Sequence, residues 1–289
     1  MSNLAFSREY LQRRSFIELN ARERAKSLFD PGTARELAGP FDRIESPWLA
    51  IQGVTPQSDD GCIVMRGTID SRQAVVIAFN GAFQGGGIGE VSGAKLTAAL
   101  DLACRDNEKG KPTSAVLLLE TGGVRLQEAN LGLAAVAEII SSIIALRRFA
   151  PMISVIAGPV GCFGGMSLAA GVSSYIVMTP EGRLGLNGPE VIEEESGVEE
   201  FDASDRSLIW SSYGGQQRYD QGLADVLIND DADQMATTVR DLIAKGVPEI
   251  HRSEQVALYR SRIAALDPST QWDPSVVHSW RTGTEEKNR

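Results

Sequence analysis

SAVLLLETGGVRLQEANLGLAAVAEIISSIIAL, residues 114–146, is the stretch whose reading decides the fold. The short apolar run 114–120, stopped by Thr121-Gly122-Gly123, reads as a buried strand, and the apolar spacing over 131–146 reads as a buried helix. The two glycines stand where strand becomes helix. Such a turn leaves the first helical amides without internal partners, and two successive residues without Cβ let a ligand carbonyl come close to the backbone. Gly122 and Gly123 are therefore a candidate oxyanion hole. The plainer reading, a tight turn and nothing more, stays open beside it.

The 289 residues can bury one large core or two small ones, and one α/β domain with helical ends fits best. The expected division is a helical segment over 1–45, the main domain over 46–232, and helices with a polar tail over 233–289. The apolar stretch Leu131–Leu146 is interrupted by Glu138, Ser141 and Ser142 and falls short of the roughly 20 residues that cross a bilayer. The opening MSNLAFSREYLQRRSF has no apolar signal core, so a cytoplasmic location and no membrane partner are expected. Cys62, Cys104 and Cys162 form no Cys-x-x-Cys pair, are expected as free thiols, and suggest no structural metal.

The net charge of −10 is concentrated: residues 190–205 hold eight acids and no Lys or Arg, which leaves the rest of the chain near neutrality. That run reads as a solvated loop, with docking onto a basic partner as the alternative. No arginine-rich tract with interleaved aromatics points to nucleic acid.

Outward from the central stretch, Ser7–Leu37 is helical in composition, with the Asp30-Pro31-Gly32 stop inside it. CIVMRGTI (62–69), a turn at Asp70-Ser71 and AVVIAFN (74–80) read as a hairpin. The loop Gly81–Gly89 ends its second strand and a helix over Ser92–Arg105 follows. The pattern then repeats: Ile153–Ala157 as strand, GPVGCFGG (158–165) as turn, Met166–Val172 as short helix, SYIVM (174–178) as strand. Further helix or strand is expected at Ser207–Trp210 and Gly222–Val226, and helices at Gln234–Lys245 and Ser253–Ala265. Strands alternating with helices imply right-handed crossovers and a parallel sheet, with three glycine turns gathered at the carboxyl ends where ligands bind.

The glycines of GGGIG are not spaced G-x-G-x-x-G and no acidic residue follows at the right distance, so a nucleotide-dehydrogenase reading is rejected. No Gly-x-Ser-x-Gly elbow or Gly-Lys-Ser/Thr phosphate loop is present. The histidines, His251 and His278, lie far along the chain from the glycine turns and read as surface residues. Chemistry by backbone donors remains, and it suits an enolate at a thioester. Gly164 and Gly165 either shape a thioester pocket or serve close packing. Lys95, with Gly86 and Gly87 of the GGGIG loop, either meets a bound ligand or, for Lys95, lies on a helix surface. Arg125 meets either a substrate carboxylate or Glu128.

TGGVRLQEA (121–129) resembles the glycine-glycine turn of the biotin-dependent acyl-CoA carboxyltransferases, and GPVGCFGG with SSYIVM resembles their second glycine-rich turn and strand. NARERAKSLFDPGTARELAG (20–39), GGGIGEVSGAKLTAALDLA (85–103) and NGPEVIEE (187–194) extend the likeness over roughly residues 18 to 230. The resemblance implies a crotonase-like (ClpP/crotonase) fold of repeated ββα units with helical N- and C-terminal extensions. It also implies an oxyanion hole built from two glycine amides, which match Gly122 and Gly123.

Two features of that family are absent, a Cys-x-x-Cys zinc ribbon and a second crotonase-like domain, so the chain reads as half of a catalytic unit. The length and SDRSLIWSSYGGQQRYDQGLADVLI (204–228) resemble the β subunits of biotin-independent malonate decarboxylases. That likeness implies a γ subunit as partner and an acyl carrier protein bearing a phosphopantetheine-type arm derived from coenzyme A. It implies a malonyl thioester as substrate, no permanently bound cofactor and no biotin. A carboxyltransferase subunit working with biotin, and a non-catalytic half that binds only the partner and the arm, are the alternatives. A helix apolar all round, as 131–146 is, must be covered on every side, so a lone monomer is not expected.

Overall fold

The computed structural model describes residues 13–55, 61–128 and 130–265. Seven strands form one sheet whose spatial order is the chain order: β1 (Arg35–Ala38), β2 (Cys62–Ile69), β3 (Arg72–Phe79), β4 (Thr113–Leu118), β5 (Met152–Ile156), β6 (Tyr175–Met178) and β7 (Val226–Leu227). The first three strands pair antiparallel, and β3 through β7 pair parallel. The hairpin between β2 and β3 closes on Asp70 (φ 50°) and Ser71 (φ 62°), the pair of left-handed residues that suits the twist of a two-residue connection.

Because each parallel strand adds on the same side of its predecessor, right-handed crossovers must put all the connecting helices on one face. They do: α2 (Glu90–Glu108), α3 (Asn130–Leu146) and α4 (Gly165–Gly171) share a core with the strand residues Val75, Ile77 and Leu117. The opposite face would be bare if the chain's ends did not cover it. There α1 (Ala21–Leu28) and α8 (Ala232–Lys245) pack Ala25, Leu28, Met235 and Val239 against Val76, Val116 and Val155. Every residue of β4 is buried, as a strand covered on both faces requires.

Three sequence expectations need correction. Within Ser7–Leu37 the described residues form a helix only over Ala21–Leu28, started by an Asn20–Glu23 capping box, and Arg35–Ala38 is the edge strand β1. The acidic run is partly helical, since α5 (Pro189–Ser196) forms with Pro189 in its first turn and Glu190 near the positive end of its dipole. His251 is buried, its Nε2 3.4 Å from Ser174 Oγ, while His278 and the polar tail lie outside the described residues. The remaining elements are α6 (Arg206–Tyr213), α7 (Gly215–Asp220) and α9 (Val256–Ala264). No helix among the described residues is long and apolar enough to cross a membrane.

Candidate active site

Beyond the carboxyl ends of β3, β4 and β5 the three glycine turns stack on one another by main-chain hydrogen bonds. Ile88 N donates to Gly123 O and Arg125 N to Ile88 O, each at 2.8 Å, tying the first turn to the second. Thr121 N donates to Gly161 O (2.8 Å) and Phe163 N to Thr121 O (3.0 Å), tying the second to the third. Cys162 N continues the ladder to Arg183 O at 2.8 Å. The turns therefore form a short ladder of their own, and the glycines allow the approach. A Cβ on Gly164 would lie 3.1 Å from the Cα of Gly123, and one on Gly86 would collide with the carbonyl of Glu120.

A cavity of about 300 Å³ opens where the first two turns meet, lined by Gln84, Gly85, Gly87, Gly122, Gly123, Val124, Arg125, Leu126 and Gln127. Among the described residues no histidine or carboxylate lines it. The polar residues of RLQE (125–128) all reach back to the first turn. Arg125 Nε donates to Gly87 O (3.0 Å), Gln127 Nε2 to Gln84 Oε1 (3.0 Å), and Glu128 Oε2 accepts from the Glu90 amide (2.7 Å) at the start of α2. Arg125 and Glu128, both buried, also pair at 3.2 Å. Of the two readings open for Arg125, the pair with Glu128 is present, and its guanidinium further covers the Phe83 ring.

The Gly122 amide donates to Gly85 O at 2.8 Å, and the Gly123 amide to Thr121 Oγ1 at 3.2 Å. The carbonyl that occupies Gly122 comes from a segment in which Gln84, Gly85 and Gly86 all have positive φ (48°, 61° and 67°). For Gln84 that conformation costs roughly 1–2 kcal/mol. Gly123 has φ 120°, accessible only to glycine, whereas Gly122 has an ordinary φ and room for a methyl group 3.5 Å from Gly85 O.

Other expected site residues lie as follows. Gly164 touches Gly123, and Gly165 packs against Val136 of α3, where a Cβ would sit 2.8 Å from Cγ1. Lys95 is not a surface lysine. It is buried, its Nζ donates to Gly39 O at 2.9 Å, and it lines a second, largely apolar cavity of about 470 Å³ with Leu37, Val64 and Leu102 rather than the glycine-turn cavity. Cys162 is fully buried in the third turn, and burial pushes its thiol up, so it stays protonated and is not a nucleophile. Among the described residues no His, Cys, Asp or Glu cluster is arranged to hold a metal ion.

Sequence reading did not single out Glu120, two residues past the end of β4. Its carboxylate pairs with Arg24 of α1 at 2.6 Å behind the glycine turns. The one local signal was a charge closing an otherwise apolar run.

On the outer side of α3, Leu133 and Ile144 are 55% and 41% exposed, and Leu126 and Leu168 are exposed as well.

The carboxyl transferase domain family matches residues 18–277. The malonyl-S-ACP:biotin-protein carboxyltransferase MADC of Malonomonas rubra is 43% identical over 256 residues, which is 85% of this chain and 80% of that protein. The crystal structure of a Pseudomonas malonate decarboxylase hetero-tetramer in complex with malonate contains a chain 55% identical, with a TM-score of 0.89, covering 94% of this chain and 99% of that one. A Pseudomonas malonate decarboxylase hetero-dimer contains a chain 50% identical, with a TM-score of 0.74, covering 87% and 97%. The α/β crotonase-like fold that the family resemblance implied is thus the fold of this chain.

Proposed function

This chain belongs to the carboxyl transferase domain family, and from that premise we propose that it is one crotonase-like half of a hetero-oligomeric malonyl-thioester decarboxylase. Its substrate is a malonyl group on the pantetheine-type arm of an acyl carrier protein, and its products are the acetyl thioester and CO2. The observation that carries the reading is the pair of consecutive glycine amides in the wall of the cavity where the turns converge.

Loss of CO2 breaks the bond between the malonyl α-carbon and its carboxylate, and the electron pair moves toward the thioester oxygen to give an enolate. N–H groups aimed at that oxygen stabilise the charge more as it develops than in the ground state. Each donor of this kind is worth roughly 3–4 kcal/mol. Protonation at the α-carbon then yields acetyl thioester. Among the described residues no acid or histidine lines the cavity, and we assign that proton to water or to the partner subunit.

Both amides now hold neutral acceptors, Gly85 O and Thr121 Oγ1, which a thioester oxygen must replace. Gly86, Gly87, Gly164 and Gly165 contribute close backbone approach around the thioester, and Arg125 fixes the first turn. Lys95 belongs to the arm's path only if that path enters the apolar cavity. The exposed side of α3 is the surface that the γ-type partner half covers, in keeping with the hetero-oligomeric relatives.

A second reading, transfer of the carboxyl group to biotin, is favoured by the name of the Malonomonas relative. The test is to assay the chain with its partner half on malonyl-carrier, with and without a biotinylated carrier protein. CO2 release that ignores biotin is the expected result. Carboxylation of biotin without release would establish the second reading.

A further inference from the structure

The back of the glycine turns holds a device that the reaction scheme above leaves unused. Glu120 sits directly before Thr121-Gly122-Gly123, and its side chain lies on the α1 face of the sheet, only 13% exposed. Its Oε2 accepts from Arg24 Nη1 at 2.6 Å. Arg24 is held in turn: its Nε donates to Phe16 O at 3.0 Å, its Nη2 donates to Ile17 O, and its guanidinium covers the Phe16 ring. One arginine thus joins the segment before α1 to the end of β4.

The two neighbouring turns make way for this carboxylate. A Cβ on Gly81, in the turn after β3, would lie 2.6 Å from Glu120 Cγ, and one on Gly158, in the turn after β5, would collide with Oε1. Gly86 meets the Glu120 carbonyl on the other side. Glu120 thus lies against the turns on both sides of its own, and those turns carry glycine where they meet it.

Stability alone does not account for such an arrangement. A nearly buried ion pair recovers little beyond its desolvation cost, and a neutral or apolar pair of similar volume is often as stable. What the pair supplies is one fixed geometry. We infer that Arg24 and Glu120 are positioning residues that hold the Gly122–Gly123 amides in register with the flanking turns. The inference rests on the proposed role of those amides, and it adds residues that never touch substrate.

The test uses the chain assembled with its partner half and three variants: Glu120→Gln, Arg24→Lys, and the double variant R24M/E120Q. The double variant removes both charges together, so it leaves no stranded ion and keeps the test open if a single variant misfolds. For E120Q and the double variant, kcat on malonyl-carrier should fall on the order of 10-fold to 100-fold, as small misplacements of catalytic groups do, while KM changes little. R24K, which keeps the charge but cannot hold three acceptors in one plane, should fall in between. Amide hydrogen exchange of the same samples should quicken at residues 121–124 and not across the sheet.

Folded variants with wild-type kcat and unchanged exchange at 121–124 would overturn the inference. Exchange that rises everywhere alike, with kcat and KM intact, would reduce the pair to a structural one and overturn it too. If the wild-type complex releases no CO2, the decarboxylase reading fails, and the exchange pattern still decides whether the pair positions the turn.

Discussion

Two pairs of consecutive loop amides stand at opposite ends of the sheet, one before β3 and one after β4, and meet different acceptors. At the hairpin end, the amides of Asp70 and Ser71 donate to the two carboxylate oxygens of Asp30 at 3.0 and 2.8 Å, and Thr68 Oγ1 adds a third bond at 2.6 Å. At the glycine end, the amides of Gly122 and Gly123 donate to the carbonyl of Gly85 and to the hydroxyl of Thr121. The first pair is satisfied by an anion built into the chain. The second pair holds weak, neutral acceptors beside a cavity, which is the condition under which an incoming anion gains most. The molecule thus contains its own precedent for the proposed chemistry: the Thr68 hydroxyl first, then the Ser71 and Asp70 amides, hold the Asp30 carboxyl below its usual range.

The contrast depends on the glycine end being held from behind by side chains and not by a resident anion, and the largest expected effect comes from removing that support. Glu128→Ala strips α2 of the carboxylate on its first amide and takes from the buried Arg125 its ion-pair partner. Breaking a buried pair on one side costs about 3–5 kcal/mol. Denaturant unfolding should show a loss of that order, and a loss under about 1 kcal/mol would mean that the first turn is held by its backbone bonds alone.

The next effect bears on the amides themselves. Replacing both glycines by alanine is not an even comparison, because Gly123 at φ 120° cannot accept a Cβ without strain while Gly122 can. Gly122→Ala is therefore the clean variant. Its methyl group intrudes where the thioester oxygen approaches, and kcat should fall on the order of 100-fold with little change in KM or in melting temperature. Near-normal kcat in a folded, partner-bound variant would remove the proposed oxyanion role and leave Gly122 to the turn alone.

The same contrast explains what the sequence makes legible. The strand, glycine turn and helix of 114–146 could be read because periodicity and glycine are local signals, and Asp70-Ser71 could be read as a turn for the same reason. The acceptors could not. Asp30 looks like a helix stop, and its partners are some 40 positions away. Glu120 meets Arg24 across 96 positions, and nothing in SAVLLLE names the partner. Lys95 carries no local mark of burial, since its acceptor is the carbonyl of Gly39. RELA (35–38) is polar and short, and only its pairing with β2 makes it a strand. What pairs at long range has to be seen in the fold.

A third, smaller effect sharpens the hairpin side. Asp30→Ala removes the acceptor of two loop amides and of the Thr68 hydroxyl at once, much as deleting a helix cap does. A loss of about 1–2 kcal/mol is expected, read as a lower thermal midpoint with unchanged activity, because the hairpin turn lies at the far end of the sheet from the glycine turns. Loss of activity in a variant that remains folded would show that the two ends are coupled.

The smallest effect tests the precedent itself. If Asp30 is held below its usual carboxyl range, the native state takes up its proton less readily than the unfolded chain does. Its contribution to stability is then complete above the ordinary aspartate value of about 3.9 and is lost as pH falls through the depressed native value. Asp30→Asn keeps one side-chain acceptor but cannot titrate, so the stability difference between wild type and this variant should shrink on acidification. Other carboxylates titrate equally in both proteins and cancel in the difference. Because Asp30 is partly open to solvent, the pH-dependent part should be only about 0.2–1 kcal/mol and should weaken with salt. Denaturation curves for both proteins from about pH 7 to about pH 3 would measure it. A difference that stays constant, or grows toward low pH, would mean that adjacent loop amides in this fold do not favour an anion, and the case for an enolate at Gly122 and Gly123 would lose its support within the molecule.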